Sequence, residues 1–138
     1  MKVRRAAALG LLLVFGAAAA HAADTPGSQD QSAGRAPAPP ADWLPRGTAE
    51  IQALDKVNAR RETLNVPVGG TGSFGALKIA VRSCVVRPPN HAKDAAAFLV
   101  IQDPHPGAPN FNGWMLASAP EVSMLEHPIY DVRVLGCR

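Results

Sequence analysis

Short runs of alternating apolar and polar residues, separated by Gly and Pro, are the feature that most restricts the fold of this chain. In residues 75–84 (GALKIAVRSC), Leu77, Ile79 and Val81 alternate with small or polar residues. A period of two places the apolar side chains on one face of a strand, as in antiparallel sheets that have one buried face and one solvent-exposed face. The run at 96–103 (AAFLVIQD) is almost continuously apolar, which predicts a central strand covered on both faces.

The segment from Ile51 to Val57 allows two interpretations. Ile51, Leu54 and Val57 recur at intervals of three, which would suit a short helix. Asp55–Asn58 also has the composition of a turn between two strands, and the second strand would include the alternating residues 62–66 (ETLNV). We favour the two strands.

The rest of the chain adds loops, one helical turn and a last strand. The glycine-rich stretch 69–75 (GGTGSFG) is interpreted as a loop entering a strand, because no helix pattern follows it to form a phosphate site. Before the last strand, at 128–137, Pro120 suits a first helical position and Ser118 or Ser123 is a candidate cap. The sequence therefore predicts an all-β fold, a single small antiparallel β-sandwich or barrel-like domain with one short helical turn.

Residues 1–22 have the three parts of a secretory signal peptide. Three basic residues precede an uncharged apolar run at 6–20, and small residues occupy Ala20 and Ala22. We therefore expect cleavage after Ala22 and a bacterial, periplasmic location. The apolar run is shorter than the ~20 residues of a membrane-spanning helix, so we expect no membrane span after the signal is removed.

Residues 23–41 are predicted to be a disordered Pro/Ala-rich linker, and residues 42–138 the folded domain. The linker has no large apolar residue with which to offset its ordering entropy. Its end, APAPPA, favours polyproline II, and a proline-rich partner motif is the alternative interpretation.

The charge of the exported chain argues against a nucleic-acid partner. The whole chain has 14 basic and 11 acidic residues, and three of the basic ones, Lys2, Arg4 and Arg5, lie in the predicted signal. The mature chain thus has as many acidic as basic residues and a net charge of zero. A protein without a basic excess has little attraction for phosphate, so we expect no nucleic-acid binding.

The two cysteines, Cys84 and Cys137, are predicted to form a disulfide, because an even count in a small exported domain is typical of a bridge. The alternative is a nucleophilic Cys137 with His127 as base and Asp131 as orienter. A disulfide sulfur is not a thiolate, and on one strand Asp131 and Cys137 would lie about 20 Å apart. We therefore favour the disulfide.

Other candidate sites are weaker. Loop residues near the 96–103 strand include possible zinc ligands, but none has the helical spacing that makes such a site convincing, and exposed loop residues are the favoured interpretation: His91, Asp94, Asp103, His105 and His127. We expect no metal and no cofactor.

Aromatic residues are few in this chain, which gives each of them weight. Trp114 is either a core residue or a binding anchor, since Trp is enriched at interface hot spots. We take Trp114, Met115, His127 and Tyr130 as a candidate partner-binding patch. Trp43, beside the linker, is expected to pack at a surface.

Four segments together resemble a known family: residues 54–84, 96–101 (AAFLVI), 111–120 (FNGWMLASAP) and 125–137 (LEHPIYDVRVLGC). They resemble the bacterial exported family catalogued as domain of unknown function 2155. The resemblance covers roughly residues 43–138. It implies a signal peptide, a variable Pro-rich stretch and a domain with a cysteine near each of these two positions, but it implies no activity.

Two functions from different classes remain. The first is a non-enzymatic periplasmic binding or accessory protein that docks on and stabilises an envelope or inner-membrane complex, for example a respiratory one. The second is a small periplasmic hydrolase or cell-wall-active enzyme that uses His127 with Glu126 or Asp131 as acid and base. We favour the first, with a protein partner and no enzymatic activity.

Overall fold

The computed structural model describes residues 38–39 and 41–138. The predicted signal peptide, with its cleavage site after Ala22, lies outside the described residues, as does most of the predicted linker. All described residues belong to the unit Gln31–Arg138. Within them, no helix is long and apolar enough to cross a membrane.

The regular structure of the described chain consists almost entirely of strands, which confirms the all-β prediction. One 3₁₀ turn, Pro120–Val122, interrupts them. The strands are β1 (Leu44–Pro45), β2 (Thr48–Asp55), β3 (Arg60–Pro67), β4 (Thr71–Phe74), β5 (Leu77–Val86), β6 (Ala95–Gln102), β7 (Phe111–Leu116) and β8 (Tyr130–Cys137).

The strands form two antiparallel sheets. The larger sheet has five strands in the order β1-β5-β6-β7, with β4 also paired to β5. The smaller sheet has three strands in the order β3-β2-β8. Strand β6 lies between two neighbours and most of its residues are buried, which confirms the prediction of a central, covered strand.

The core lies between the two sheets and follows the alternation in the sequence. In β5, Leu77, Ile79 and Val81 are fully buried, whereas Lys78, between the first two, and Arg82, after the third, are exposed. Burial of one such aliphatic side chain contributes about 1.5–3 kcal/mol. The buried cluster consists of Ala49, Ile51, Val66, Leu77, Ile79, Val81, Cys84, Ala97, Leu99, Ile101, Met115, Leu125, Val132 and Val134.

The segment with two interpretations forms two strands, as favoured from the sequence. Strands β2 and β3 pair from Thr48–Pro67 to Asp55–Arg60. The Asp55 carboxylate orders the turn, because it accepts hydrogen bonds from the backbone N–H groups of Val57 and Asn58, each at 3.0 Å. A short polar side chain that bonds the backbone two or three residues ahead is typical of such turns.

The prediction of a loop over 69–75 is wrong for residues 71–74, which form β4 and pair with β5. Glycine hides the strand in the sequence because it has no side chain to contribute to the pattern. At Gly72, a Cβ atom would lie 2.8 Å from the Val66 side chain, so the close approach of β3 and β4 requires glycine here. Gly75, with φ +54°, turns the chain into β5.

The 3₁₀ turn is where a helical turn was expected, with Pro120 in its first turn, but the predicted serine cap is wrong. The residue before the turn is Ala119, and no side chain caps it. Ser118 is engaged elsewhere: its hydroxyl donates to the Asp94 carboxylate at 2.7 Å. A serine so committed cannot satisfy the first N–H groups of the turn.

The predicted disulfide joins Cys84 of β5 to Cys137 of β8, with 5.7 Å between the Cα atoms. It therefore links the larger sheet to the smaller one. Within the described residues, no cysteine is free.

A β-bulge in each strand brings the two cysteines to the interior. In β5, Val81 pairs with Leu99 and Ser83 pairs with the adjacent residue Phe98, so Arg82 between them is the extra residue. In β8, Gly136 and Val134 pair with two consecutive residues of β2, so Leu135 between them is the extra residue. A bulge shifts the alternation by one position. Without it, each cysteine would lie on the outer face of its sheet.

Removal of the disulfide is expected to cost about 4 kcal/mol of unfolding free energy, because the bridge closes a loop of 53 residues. The measurement is urea denaturation of the oxidised and the reduced protein. As a control, the reductant should not change the unfolding free energy of the variant with Cys84→Ala and Cys137→Ala. A difference below about 1 kcal/mol would contradict the entropic role of the bridge.

Deletion of Leu135 is expected to prevent the bridge, because it removes the bulge and turns Cys137 to the outer face of the smaller sheet. Alkylation of the protein purified under oxidising conditions, followed by mass measurement, counts the free thiols, and two are expected. Deletion of Ala92 in an exposed loop is the matched control and should leave none. Full bridge formation in the Leu135 deletion would show that the bulge is dispensable.

Candidate functional site

His127 lies in the segment that leads into β8, and it is buried, with 6% of its surface exposed. Its Nδ1 atom accepts hydrogen bonds from the backbone N–H groups of Ile129 and Tyr130, at 3.1 and 3.2 Å. Because Nδ1 accepts, the ring proton of the neutral side chain resides on Nε2. His127 therefore caps the turn at Pro128 in the way that an Asp or Asn side chain caps other turns.

The Nε2 atom of His127 faces Asp103, the first residue after β6, at 3.3 Å from Oδ2. The other carboxylate oxygen accepts from the backbone N–H of His105 at 2.9 Å and contacts the His105 ring nitrogen Nδ1 at 2.5 Å. These donors lower the pKa of Asp103, the hydrogen bond from the His105 backbone most of all, against the opposing effect of burial. Asp103 is thus a buried carboxylate held in its charged form.

Further hydrogen bonds tie this cluster to its surroundings. The backbone N–H of Asp103 donates to the Asn110 side chain at 3.0 Å, which closes the loop between β6 and β7. The Lys56 ammonium, from the turn between β2 and β3, donates to the His127 carbonyl at 2.6 Å. The His127 ring also packs on Tyr130, with 5.1 Å between the ring centroids. The cluster therefore connects three separate parts of the chain.

This arrangement favours a structural role for His127. Both ring nitrogens are engaged in hydrogen bonds, so the side chain has no free lone pair to offer a substrate as a general base. Asp131, one of its suggested partners, pairs with Arg133 at 3.0 Å, and the other, Glu126, is exposed. Cys137 is bridged, which leaves it no thiolate.

Of the five suggested zinc ligands, Asp103 contacts two others, His105 through one carboxylate oxygen and His127 through the other. Asp94 instead accepts hydrogen bonds from Ser118, and His91 is an exposed loop residue. Within residues 38–39 and 41–138, no group of three or more His, Cys, Asp or Glu residues has an arrangement that could hold a metal ion.

The four residues of the candidate partner-binding patch do not share one exposed surface. Met115 is 2% exposed and belongs to the core, whereas its neighbour Trp114 points to the opposite face of β7, as successive strand residues must. His127 is buried, and Tyr130 is half-buried against His127 and Phe74. Of the four, only Trp114 lies at a pocket on the outer face of the larger sheet.

That pocket has a volume of about 220 Å³ and is lined by Trp43, Val85, Ala96, Trp114 and Leu116. The strand pairs explain the grouping, because Val85 pairs with Ala96 and Ala96 with Leu116. Trp43 comes from the chain just before β1. The lining is entirely apolar, on the sheet face that is turned away from the main core.

Two contacts fix the tryptophan rings that wall the pocket. Trp114 packs edge-to-face on Phe98, its cross-strand partner, with 5.6 Å between ring centroids. The Arg87 guanidinium lies over the Trp43 ring, 5.4 Å from its centroid. Edge-to-face and cation–π contacts each contribute about 0.5–1.5 kcal/mol. Both rings are therefore held in place while remaining partly exposed.

A larger and more open groove, of about 670 Å³, lies beside the disulfide, and its lining includes Arg87, Lys93, Leu135 and Cys137. The carboxylate in it, that of Asp94, already bonds Ser118. The groove is open and mixed in polarity, so the smaller and more apolar tryptophan pocket is the better candidate for a binding surface.

The fold and these surfaces define a class: a small domain of two antiparallel sheets, linked by a disulfide and carrying an apolar pocket on an outer face. The chain belongs to the family described as "Uncharacterized protein conserved in bacteria (DUF2155)", whose model matches residues 49–137. The resemblance seen in the sequence is thereby confirmed.

One curated relative is similar to this chain: the uncharacterized protein RP359 of Rickettsia prowazekii (strain Madrid E). It is 30% identical over 94 residues, which cover 64% of this chain and 59% of the relative. The chain thus spans about three-fifths of the length of the relative that it matches. No solved structure matches the chain.

The acid stability of the protein is expected to depend on Asp103. Its pKa is lowered in the folded protein, so its charged form stabilises the fold above the unfolded pKa of about 3.9 and the stabilisation is lost as pH falls below that value. Asp103→Asn should lower stability at neutral pH and flatten the loss of stability toward acid. Thermal unfolding between pH 2 and 7 measures both.

The control for this prediction is Asp42→Asn, which changes an exposed carboxyl and should leave the acid profile unchanged. Some acid dependence should remain in Asp103→Asn, because the Asn58 side chain lowers the pKa of Asp55 as well. An unchanged profile in Asp103→Asn would exclude the cluster as a source of acid sensitivity.

Proposed function

We propose that this chain is an exported, non-enzymatic binding or accessory protein of the bacterial periplasm. It docks on and stabilises an envelope or inner-membrane protein complex, with respiratory complexes among the candidates. The observation that carries the proposal is the apolar pocket between Trp43 and Trp114. The pocket receives an apolar group of the partner, and the two tryptophans form the anchors of the interface.

The pocket has the physical properties of a protein-docking site. Its volume of about 220 Å³ is below the roughly 300–1,000 Å³ of small-molecule sites, which suits one or two side chains of a partner better than a whole ligand. Trp dominates the energy of many interfaces, where it is enriched at hot spots surrounded by residues that exclude water. Held in place by Phe98 and Arg87, the two rings lose little conformational entropy on binding.

The remaining features support an exported scaffold. The disulfide between Cys84 and Cys137 suits an oxidising compartment, and the sequence of residues 1–22 has the pattern of a signal peptide. The hydrogen bonds of the Asp103–His127 cluster are directed to the protein itself, in keeping with a role in stability. The neutral mature chain is suited to a protein partner more than to a nucleic acid.

Trp114→Ala is expected to weaken partner binding by about 2 kcal/mol or more, which is roughly 30-fold in Kd. A tagged protein is purified from gently solubilised envelopes, and the co-eluting proteins are identified and quantified by mass. Wild-type protein should retain one membrane assembly in stoichiometric amount, and Trp114→Ala should lose it. Retention of the assembly by Trp114→Ala would contradict the pocket as the docking site.

Two controls separate binding from folding in this experiment. Val122→Ala changes an exposed apolar residue away from the pocket, 73% exposed, and should retain the assembly. Because Trp114 also packs on Phe98, the thermal stability of each variant is measured alongside. Trp43→Ala, which alters the other wall of the pocket from outside the paired strands, should repeat the loss.

A further inference from the structure

We propose that the partner binds as an added β-strand, which pairs antiparallel with the free edge of β7 and places an apolar side chain at the pocket between Trp43 and Trp114. This inference rests on the proposed function, since it takes the same pocket as the docking site. It adds the conformation and the chemistry of the partner segment, which is extended, uncharged where it pairs with β7, and acidic just before the paired residues.

Strand β7 is the last strand of the larger sheet, and in the described chain no strand pairs with its other side. The backbone N–H of Ala117 donates to the Ala95 carbonyl of β6 at 2.8 Å. In an antiparallel pair, residues bonded to the neighbouring strand alternate with residues whose backbone groups point away from it. Counted from Ala117, the N–H and C=O groups of three residues therefore point to the free edge: Asn112, Trp114 and Leu116.

The edge of β7 lacks the features with which native sheets prevent pairing with other chains, namely very short length, charged side chains, proline and bulges. It has six residues, none of them charged or proline, in unbroken register with β6. The other edge strands of the described chain are protected. Strand β1 has two residues, one of them proline, and β4 has four. Strand β3 has three charged residues and a terminal proline, and β8 has two charged residues and a bulge.

A strand added to this edge reaches the pocket directly. Val85, Ala96 and Leu116 occupy neighbouring positions across the outer face of the sheet. The partner residue opposite Leu116 extends this row, with its Cβ about 4.5–5.5 Å from that of Leu116. An apolar side chain there lies beside the pocket, which Leu116 and Trp114 line. Backbone pairing thus supplies affinity and the pocket selects the side chain, as in other complexes formed by strand addition.

The charge at one end of β7 indicates what precedes the paired residues of the partner. Ala117 and Ser118, which follow β7, line the open groove together with Arg87 and Lys93. Neither cation forms an ion pair within residues 38–39 and 41–138, and the Asp94 carboxylate in the groove already bonds Ser118. An antiparallel partner begins at this end of β7, so an acidic residue there meets two positive charges.

The test uses the whole exported chain in pure form and a synthetic hexapeptide with blocked ends, Asp-Leu-Thr-Val-Thr-Val. In the proposed register its Leu lies opposite Leu116 and its first Val opposite Trp114. Titration into ¹⁵N-labelled protein is expected to shift the backbone amide signals of Asn112, Trp114 and Leu116 and to slow their hydrogen exchange. No change in these three signals at about 1 mM peptide would overturn the proposal.

Matched peptides separate strand pairing from simple apolar binding. N-methylation of the Leu and the first Val removes two N–H groups that face β7, and should weaken binding at least tenfold. N-methylation of the two Thr residues, whose N–H groups face away from β7, should leave the affinity unchanged. Replacement of the Asp by Lys should weaken binding about fivefold. Equal affinity of the two N-methylated peptides would contradict strand addition.

The same edge is tested with the unknown partner by Asn112→Pro in the co-purification experiment. Asn112 is exposed, and its N–H points to the free edge, so proline there removes no bond to β6. The matched control is Asn65→Pro on the edge of β3. The Val68 N–H donates to the Gly47 carbonyl, and the alternation counted from this bond directs the N–H of Asn65 away from β2.

Asn112→Pro should lose the assembly and Asn65→Pro should retain it. Retention by Asn112→Pro together with loss by Trp114→Ala would refute strand addition and leave the pocket as the docking site, whereas retention by both would refute the pocket itself. Because proline also fixes φ, the amide spectrum of each variant verifies the fold. Asn112→Lys, which adds a charge to the edge and keeps the backbone N–H, should also lose the assembly.

A second copy of the chain is the other possible occupant of this edge. If the amides of Asn112, Trp114 and Leu116 exchanged slowly in concentrated protein without peptide and rapidly after dilution, β7 would be pairing with β7 of another molecule. That result would contradict the proposal of a partner strand.

Discussion

The disulfide between Cys84 and Cys137 is the constraint on which the rest of this small domain depends. It joins β5 of the larger sheet to β8 of the smaller one, and thus sets the spacing of the two layers that enclose the core. The bridge is possible only because each strand contains a bulge that turns its cysteine inward. Two local irregularities, at Arg82 and Leu135, are therefore required by one long-range bond.

The larger sheet has two apolar faces. One face packs on the smaller sheet and forms the core. On the other, Val85, Ala96 and Phe98 are buried although no second sheet among the described residues covers them. Trp114 packs on Phe98, and Trp43 joins Val85 and Ala96 around the pocket. Residues 38–39 and 41–138 supply no further layer that closes this face, and the two rings are half-exposed. The proposed binding surface is thus the part of this sheet face that the described residues leave incompletely covered.

Much of the fold could be predicted from the sequence, because alternation in β5 and β8 reflects which face is buried and the continuous apolar run of β6 reflects burial on both faces. The predictions are wrong where the local sequence pattern does not match the structure. Strand β4 contains Gly72 and shows no alternation, and Ser118 bonds Asp94 rather than the 3₁₀ turn. The site was predictable only in part. The sequence identifies Trp114 as a candidate anchor, but its pairing with Trp43 is a contact across the fold that no local pattern indicates. The burial of Met115 and His127 likewise depends on which face each residue occupies in the folded chain.

The central proposal is that partners dock at the tryptophan pocket, and site-specific crosslinking tests it most directly. A photoreactive phenylalanine analogue is placed at position 116, at the pocket, and separately at position 122, an exposed control. Illumination of living cells followed by mass identification is expected to give one envelope-protein adduct from position 116 and none from position 122. Absence of any adduct from position 116, or the same adduct from both, would contradict the claim.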